Sequence, residues 1–254
     1  MTDGIRTETA LDGHVLRIVL DRPKGNVIDR AMMAAIGSAL GAEVTPHTRL
    51  VVFEGAGKHF SFGASVEEHR PDQAADMLRD FHGLFRRLAD VAVPTCAVVR
   101  GQCLGGGLEL AAWCTWVVAE PGARLGQPEI RLAVFPPMAS VLLPWRAGGL
   151  AALDLCVSGR SVTAEEAHRL GIVNAVTEDP EAWWTNLVRE HLAATSAASL
   201  RFAERAARMD LLARIERDLP RLERLYLDDL MRLHDAVEGI EAFIERRRPE
   251  YRDA

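Results

Sequence analysis

Lysine is almost absent from this sequence: Lys24 and Lys58 are the only two among 30 basic residues, which 36 acidic residues outnumber. The formal net charge is −6 at pH 7, so no overall basic field is available to hold the phosphates of a nucleic acid. Long apolar runs are also missing, and none approaches the ~20 residues that cross a bilayer. The composition argues against nucleic-acid and membrane partners.

Cysteine is scarce as well, and its spacing is uninformative. The four cysteines, Cys96, Cys103, Cys114 and Cys156, form no CxxC pair and no His/Cys cluster with zinc-ligand spacing. This pattern favours small buried thiols in a reducing compartment. The opening residues MTDGIRTETALDG lack a basic segment followed by an apolar run, which predicts no secretory signal. We expect a cytoplasmic protein without a metal.

Strand and helix patterns alternate over roughly the first two thirds of the 254 residues. Short apolar strands are predicted at 14–20, 49–57, 94–101 and 115–121. From about residue 180 onward the pattern is helical only and rich in Arg and Glu. We therefore predict an α/β core over residues 1–195 and a C-terminal helical region over residues 196–254.

Capping residues predict where two helices begin. Asp29 is placed to cap a helix whose apolar residues recur at helical spacing. Thr163 and Glu166 have the spacing of a capping box, Gly171 is placed to end that helix, and a strand is predicted from Ile172.

The stretch GQCLGGGLELAAW, at 101–113, places three consecutive glycines before an apolar helix. Glycines at a helix start leave the first N–H groups accessible, and those groups have no partner within the helix. The helix dipole adds positive potential there, so the stretch suits a phosphate or a developing oxyanion. Glycine as a spacer for close helix packing is the alternative, and this stretch alone does not choose between them.

Nucleotide-binding motifs do not fit these glycines. The dinucleotide fingerprint requires GxGxxG after a first strand, whereas the glycines here are contiguous. The pair Gly57–Lys58 is followed by His59 rather than by Ser or Thr, which excludes a P-loop.

A second glycine loop, GKHFSFGASVEEH at 57–69, can present another free N–H group from Ala64. Two backbone donors from separate loops are what an oxyanion hole needs. Glu109 lies three residues after Gly106, on the same helix face, and Glu129 follows a proline at a turn. Two carboxylates beside a reacting carbon can act as base and acid, although each can also simply complement a helix start.

These motifs together resemble the enoyl-CoA hydratase/isomerase family, also called the crotonase family. The matching segments, in the order in which that family has them, are LDRPKGNVID, GKHFSFGAS, GQCLGGGLELA, ARLGQPEI and SGRSVTAEEAHRLGIVNAV. They cover most of residues 15–180, and the tail EGIEAFIERRRPEY resembles the family's usual ending.

The resemblance implies a fold and a chemistry. The fold is α/β, a spiral of ββα repeats with C-terminal helices that mediate trimer formation, often as a dimer of trimers. The substrate is a coenzyme A thioester, and no further cofactor is needed. The family's oxyanion hole maps onto the N–H groups of Ala64 and Gly106, and its two hydratase glutamates map onto Glu109 and Glu129. Because isomerases of the family commonly keep one acid here, the pair favours addition or elimination of water.

Departures from the family pattern concern the acyl pocket. The usual Gly-Ala-Asp of the first loop ends in Ser65 here, and a proline-containing apolar segment replaces the glycine-rich one after the second glutamate. Phe135, Pro136 and Met138 are expected to line a stiffer wall, and Ser65 to contact substrate. These segments most resemble hydratases of cyclohexa-1,5-diene-1-carbonyl-CoA, which act in anaerobic aromatic degradation.

Three hypotheses remain open at this point. The first is a hydratase of a cyclic dienoyl thioester, and the second is a short-chain enoyl-CoA hydratase or isomerase. The third is a non-catalytic binding protein on the same fold. The resemblance also makes Arg246, Arg247 and Arg248 candidates for the CoA phosphates. Glu68 and His69 can reach the mouth of the pocket, but we expect them to be exposed residues of a helix start.

Overall fold

The computed structural model describes residues 4–254, and its strands form two sheets. The strands are β1 (Ile5–Ala10), β2 (Val15–Leu20), β3 (Leu50–Gly55), β4 (Thr95–Val99), β5 (Gln102–Leu104), β6 (Trp116–Ala119), β7 (Arg124–Gly126), β8 (Ser161–Thr163) and β9 (Ala175–Val176). The larger sheet has the order β1-β2-β3-β4-β6-β9, and the smaller one has the order β5-β7-β8.

The larger sheet lies at the centre of the core. Its first pair, β1 with β2, is antiparallel, and every later pair is parallel. All of β3 and β4 is buried, as is typical of parallel strands covered on both faces. Alternate residues of β3 enter opposite clusters: Phe53 joins the main core, and Val52 packs with Trp184.

Helices cover both faces of this sheet. They are α1 (Arg30–Glu43), α2 (Ala74–Val91), α3 (Gly106–Trp113), α4 (Pro137–Ala147), α5 (Gly149–Ser158), α6 (Ala164–Arg169), α7 (Pro180–Leu187), α8 (Ala197–Ala207), α9 (Met209–Arg224) and α10 (His234–Ile244). Short 3₁₀ turns occupy Glu67–His69, Pro128–Leu132 and Leu230–Arg232, and π-helical turns occupy Val188–Leu192 and Leu225–Asp229. Within residues 4–254, no helix combines the length and the apolar character that a bilayer crossing requires.

Successive turns of the chain add one strand to the large sheet and one extended segment to a second layer. The β4-β5-α3 unit shows the pattern most clearly, because β5 pairs with β7 of the next turn. Isolated β-bridges extend the second layer to earlier parts of the chain: Cys103 pairs with Ser61, and Ala64 pairs with Ile28. The expected α/β spiral of ββα units is therefore confirmed.

Most of the expected strands are present, and the exceptions have local causes. β1 was not expected, because its edge position leaves a mixed polar sequence half exposed. The strand predicted from Ile172 is wrong at its start, since β9 begins at Ala175. The amides of Ile172 and Val173 instead donate to the carbonyl of Ala167 and close the end of α6.

Both predicted caps form, one of them incompletely. Asp29 accepts from the amide of Met32 at 2.9 Å and begins α1. Thr163 accepts from the amide of Glu166 at 3.1 Å. The reciprocal bond of a capping box is absent among the described residues, because the Glu166 carboxylate binds Arg160 at 2.8 Å instead.

The helices after residue 195 share the main core. Ser196 caps α8 by accepting from the amide of Ser199, and Leu211, Ile215 and Leu219 of α9 are buried in the main cluster. The boundary between residues 195 and 196 stays a prediction.

Arg146 holds the end of α3. Its guanidinium donates to the carbonyl oxygens of Ala112 at 3.1 Å and Cys114 at 2.6 Å, and to that of Ile172 at 2.9 Å. The last carbonyls of a helix have no partner within it, so this side chain from α4 supplies one. The contact fixes α3, which carries the glycine motif at its other end, against α4.

Candidate active site

The two glycine loops meet at the start of α3. Gly63 has φ +102° and Gly105 has φ +52°, which L side chains rarely adopt. A Cβ added to Gly63 would lie 3.1 Å from the amide nitrogen of Gly106, and one added to Gly106 would lie 3.0 Å from that of Ala64. The backbones therefore approach too closely for side chains at these positions.

The amides of Ala64 and Gly106 are two free donors at this junction. In the described residues, neither donates to a protein acceptor, whereas the neighbouring Gly105 amide is bonded to the carbonyl of Gly126 at 3.0 Å. The Gly106 amide also begins α3, where the helix dipole is positive. The pair can receive one negatively charged oxygen.

Buried polar residues of the neighbouring loops hold the first glycine loop in place. The Ser61 hydroxyl donates to the carbonyl of Asn26 at 2.8 Å and accepts from the amide of Gly63 at 3.0 Å. The Asn26 amide in turn donates to the carbonyl of His59 at 2.9 Å. Sequence analysis did not identify Asn26 or Ser61, because their role depends on contacts 33 to 35 residues apart.

A cavity of about 430 Å³ opens from the two free amides. Its walls are mostly apolar, and they come from both glycine loops, α2, the segment before α4 and the C-terminal helices. Apolar lining residues include Val66, Met77, Leu78, Phe81, Leu104, Leu132, Val134, Phe135, Pro136, Pro137 and Phe243. Such a cavity suits a small hydrocarbon group with few polar contacts.

Glu109 enters the cavity from the first turn of α3. Its side chain is buried, and its Oε1 accepts from the amide of Ala139 at 2.6 Å, at the start of α4. Burial raises the pKa of Glu109 to about 7, and the hydrogen bond from Ala139 opposes that rise. The carboxyl group is therefore poised to exchange a proton near neutral pH.

Glu129 reaches the same cavity from the 3₁₀ turn after β7. A Cβ added to Gly105 would lie 2.7 Å from Oε1 of Glu129. Glycine at position 105 therefore leaves room for the Glu129 carboxylate beside the start of α3. With its amide nitrogen turned towards Glu129, buried Gln127 donates to both carboxylate oxygens at 3.0 Å. Burial, and then the charge of Glu109, raise the pKa of Glu129 well above its usual value.

The two carboxyl groups cannot both be charged at low cost. Each lies in a poorly solvated cavity, and the charge of one disfavours the charge of the other. Their titration belongs to the pair. The two protons therefore leave in separate steps, the first near pH 7, and between the steps the pair holds one base and one acid beside the two amides.

The structure brings six of the eight predicted site residues to this cavity. Ala64, Gly106, Glu109, Glu129, Phe135 and Pro136 line it. Ser65 and Met138 are not among its lining residues. The Ser65 hydroxyl donates to Glu67 at 3.1 Å, and Met138, the second residue of α4, is fully buried in the core.

The expectation for Glu68 and His69 needs correction, and the one for the C-terminal arginines stays a prediction. Glu68 and His69 were expected to be exposed, but both are half-buried, and His69 lines the cavity with Nδ1 2.7 Å from the carbonyl oxygen of Ser65. Burial lowers the pKa of His69. Arg247 pairs with Glu238 and Glu245, and a role of Arg246, Arg247 and Arg248 in binding CoA phosphates stays a prediction.

Two buried polar lining residues were missed altogether. His82 of α2 and Tyr226 of the turn after α9 are buried among the apolar walls. In the sequence, only its position on an otherwise apolar helix face marked His82 as a candidate. Nothing in the sequence marked Tyr226, because folding brings it to the cavity from a distant segment. Across residues 4–254, no group of three or more metal-ligating side chains converges.

The raised pKa of Glu109 predicts a pH-dependent gain of stability in Glu109→Gln. Folded protein binds the proton up to about pH 7, whereas the unfolded chain loses it near 4.5. The contribution of Glu109 to the free energy of unfolding is therefore fully present below about pH 4.5 and is lost as the pH rises to about 7. We expect Glu109→Gln to unfold at higher denaturant concentration than the wild type at pH 8, by up to about 3 kcal/mol, and with little difference at pH 4.5.

Glu216→Gln, on the exposed side of α9, is the matched control and should change stability little at either pH. Equal destabilisation of Glu109→Gln at both pH values would contradict the account.

Comparison with known proteins places the whole chain in one family. The family model described as enoyl-CoA hydratase/isomerase matches residues 11–254. A cyclohexa-1,5-dienecarbonyl-CoA hydratase of Thauera aromatica is 53% identical over 237 residues, which cover 93% of this chain and 92% of that protein. A probable enoyl-CoA hydratase of Rhizobium meliloti is 34% identical, over 94% of this chain and 95% of that one.

Solved structures support the same family assignment. The crystal structure of an enoyl-CoA hydratase from Mycobacterium avium has a TM-score of 0.87 and 27% identity, over 98% of this chain and 99% of that one. Another, from Mycobacterium avium subsp. paratuberculosis, has a TM-score of 0.84 and 25% identity, with 98% and 99% covered. With its paired glycine loops and two glutamates at one cavity, and with these matches along its length, the chain belongs to the enoyl-CoA hydratase/isomerase family.

Proposed function

We propose that this protein is a hydro-lyase that adds water to a conjugated dienoyl-CoA thioester, namely cyclohexa-1,5-diene-1-carbonyl-CoA or a close analogue. One observation carries the reaction type: two free amides, the buried Glu109 and the half-buried Glu129 line one apolar cavity. The substrate is supported by the 53% identity to the Thauera aromatica hydratase, whose name specifies that acyl group. This chemistry belongs to the degradation of aromatic acids.

The thioester carbonyl is placed by the two amides. Its oxygen accepts hydrogen bonds from the N–H groups of Ala64 and Gly106, and negative charge grows on it as the thioester becomes an enolate. Backbone donors fixed by the folded loops need no reorganisation when that charge develops. The apolar cavity strengthens the interaction because little water competes with it.

The glutamate pair moves the protons. The ionised carboxylate accepts a proton from water while the oxygen forms a bond to the unsaturated carbon β to the carbonyl. The π electrons move onto the thioester oxygen and give a dienolate. The protonated carboxyl then delivers its proton to carbon as the carbonyl reforms. One water is consumed, and the pair again holds one proton.

The walls of the cavity favour a compact acyl group. Pro136 and Pro137 begin α4 and restrict the backbone beside Glu109, and Phe135 closes the wall towards Tyr226 at a ring distance of 5.5 Å. A short-chain enoyl-CoA hydratase is the second candidate, because relatives named probable enoyl-CoA hydratase are 34% identical. A non-catalytic binding role is disfavoured by the retained glutamate pair.

We also propose a homotrimer, or a hexamer made of two trimers, in the cytoplasm. α5 exposes Leu150, Leu153 and Val157, at 87%, 62% and 68% of their surface, which supports burial against another copy. The CoA phosphates would be bound outside the acyl cavity. The proposed reaction needs no cofactor beyond the CoA that the substrate carries.

Replacement of either glutamate tests the proton-transfer step. We expect Glu109→Gln and Glu129→Gln each to lower turnover at least ~100-fold, because each removes one general acid–base group. Binding of the CoA ester should persist, as measured by calorimetry, since the two amides remain. Full activity in either variant would exclude the two-glutamate mechanism.

A side-by-side assay tests the acyl group. Initial rates with cyclohexa-1,5-diene-1-carbonyl-CoA and crotonyl-CoA give the ratio of their kcat/KM values, and we expect the cyclic diene to be preferred at least ~10-fold because the cavity is broad and apolar. A strong preference for crotonyl-CoA would assign the protein to the second candidate function.

A further inference from the structure

Two buried polar atoms in the acyl cavity have no partner. They are Nε2 of His82 and the hydroxyl of Tyr226, and within residues 4–254 no protein group bonds to either. His82 is 0% exposed and Tyr226 is 1% exposed, and both line the cavity that holds the glutamate pair. Buried groups of this kind are costly when unpaired, so a ligand atom that satisfies them is favoured.

His82 presents a defined nitrogen to the cavity. Its Nδ1 lies 2.6 Å from Oε1 of Glu223, across 141 residues of sequence. This hydrogen bond lowers the pKa of Glu223, so that residue is an ionised acceptor and Nδ1 carries the proton. In the neutral imidazole, Nε2 is then a hydrogen-bond acceptor.

Tyr226 presents a donor to the same cavity. It lies on the π-helical turn Leu225–Asp229, an irregular turn of a type often found at functional sites. Its ring packs edge-on against Phe135. Burial, and then the charge of Glu129, raise the pKa of Tyr226, which keeps its proton and is close enough to Glu129 to sense its charge.

An acceptor and a donor together match a hydroxyl group, which also offers one donor and accepts hydrogen bonds. Both atoms are already shielded from water, so a purely hydrocarbon acyl group would leave them unpaired, whereas a hydroxyl group could pair with both. The hydrated product carries the hydroxyl that the diene lacks. The cavity therefore fits the product of hydration better than its precursor.

We propose that His82 and Tyr226 form a second polar subsite, which binds the hydroxyl oxygen that hydration adds to the acyl group. The proposal rests on the proposed hydratase function. In the reverse reaction the same subsite holds the hydroxyl before it leaves. The two residues are positioning residues, and the glutamate pair remains the source of the protons.

Tyr226→Phe tests the subsite, with kinetics in both directions. We expect KM for the hydroxyacyl-CoA to rise about 10-fold, the loss of one hydrogen bond, while KM for the dienoyl-CoA changes less than about 3-fold. Because the overall equilibrium is fixed, the ratio of reverse to forward kcat must rise by the same factor as the ratio of the two KM values. A merely structural defect would move both KM values together.

Matched variants separate the subsite from general effects. Tyr251→Phe alters the other tyrosine of the chain, which lies near the C-terminus and whose hydroxyl donates to the carbonyl of Arg131 at 3.0 Å. This variant should leave both KM values unchanged. His82→Asn keeps a donor for Glu223 and removes Nε2, and it should reproduce the change seen in Tyr226→Phe. Equal changes in both KM values, no change in either, or the same change in Tyr251→Phe would overturn the proposal.

Calorimetry separates failure of the subsite from failure of the proposed function. If the wild type does not hydrate the dienoyl-CoA, the proposed function is wrong, and binding still tests the subsite. We expect a hydroxycyclohexanecarbonyl-CoA to bind the wild type about 10-fold more tightly than cyclohexanecarbonyl-CoA, and Tyr226→Phe to abolish the difference. Equal affinities in the wild type would refute the subsite.

Discussion

Repulsion between two carboxyl groups in one poorly solvated cavity is the constraint on which the site depends. Glu109 and Glu129 come from different turns of the spiral, and neither is in bulk solvent, so the first proton leaves near pH 7 and the pair then holds a single proton. That state costs stability and supplies a base and an acid together. The rest of the fold holds the pair there: Arg146 fixes α3 against α4, and the start of α4 binds Glu109.

The glycines make this arrangement sterically possible. Gly63 and Gly106 let two backbone segments with free amides approach closely, and Gly105 leaves room for Glu129. The same small residues that weaken a helix start thus bring two free amides and a carboxylate to one cavity. Poor local helix propensity is offset by tertiary contacts, with α3 fully buried in the core.

Local patterns predicted the two glycine loops, Asp29 as a cap and the alternation of strands and helices, because each depends on neighbours in sequence. Resemblance to the family was needed to pair Glu109 with Glu129, since spacing alone cannot show convergence. Ser65 was expected beside substrate because it stands where the family has an acid, and Met138 because it belongs to the apolar segment after Glu129, but adjacent residues can face opposite ways. His82 and Tyr226 come together only through contacts made by the C-terminal helices, which a single sequence does not encode locally.

The shared proton can be measured directly. Protein labelled with ¹³C at the glutamate side-chain carboxyl carbons would be titrated by NMR, with Glu109→Gln and Glu129→Gln identifying the two signals. We expect the first proton to leave the pair near pH 7 and the second at higher pH. Ionisation of both carboxyl groups near the ordinary glutamate value of about 4.3 would contradict the account.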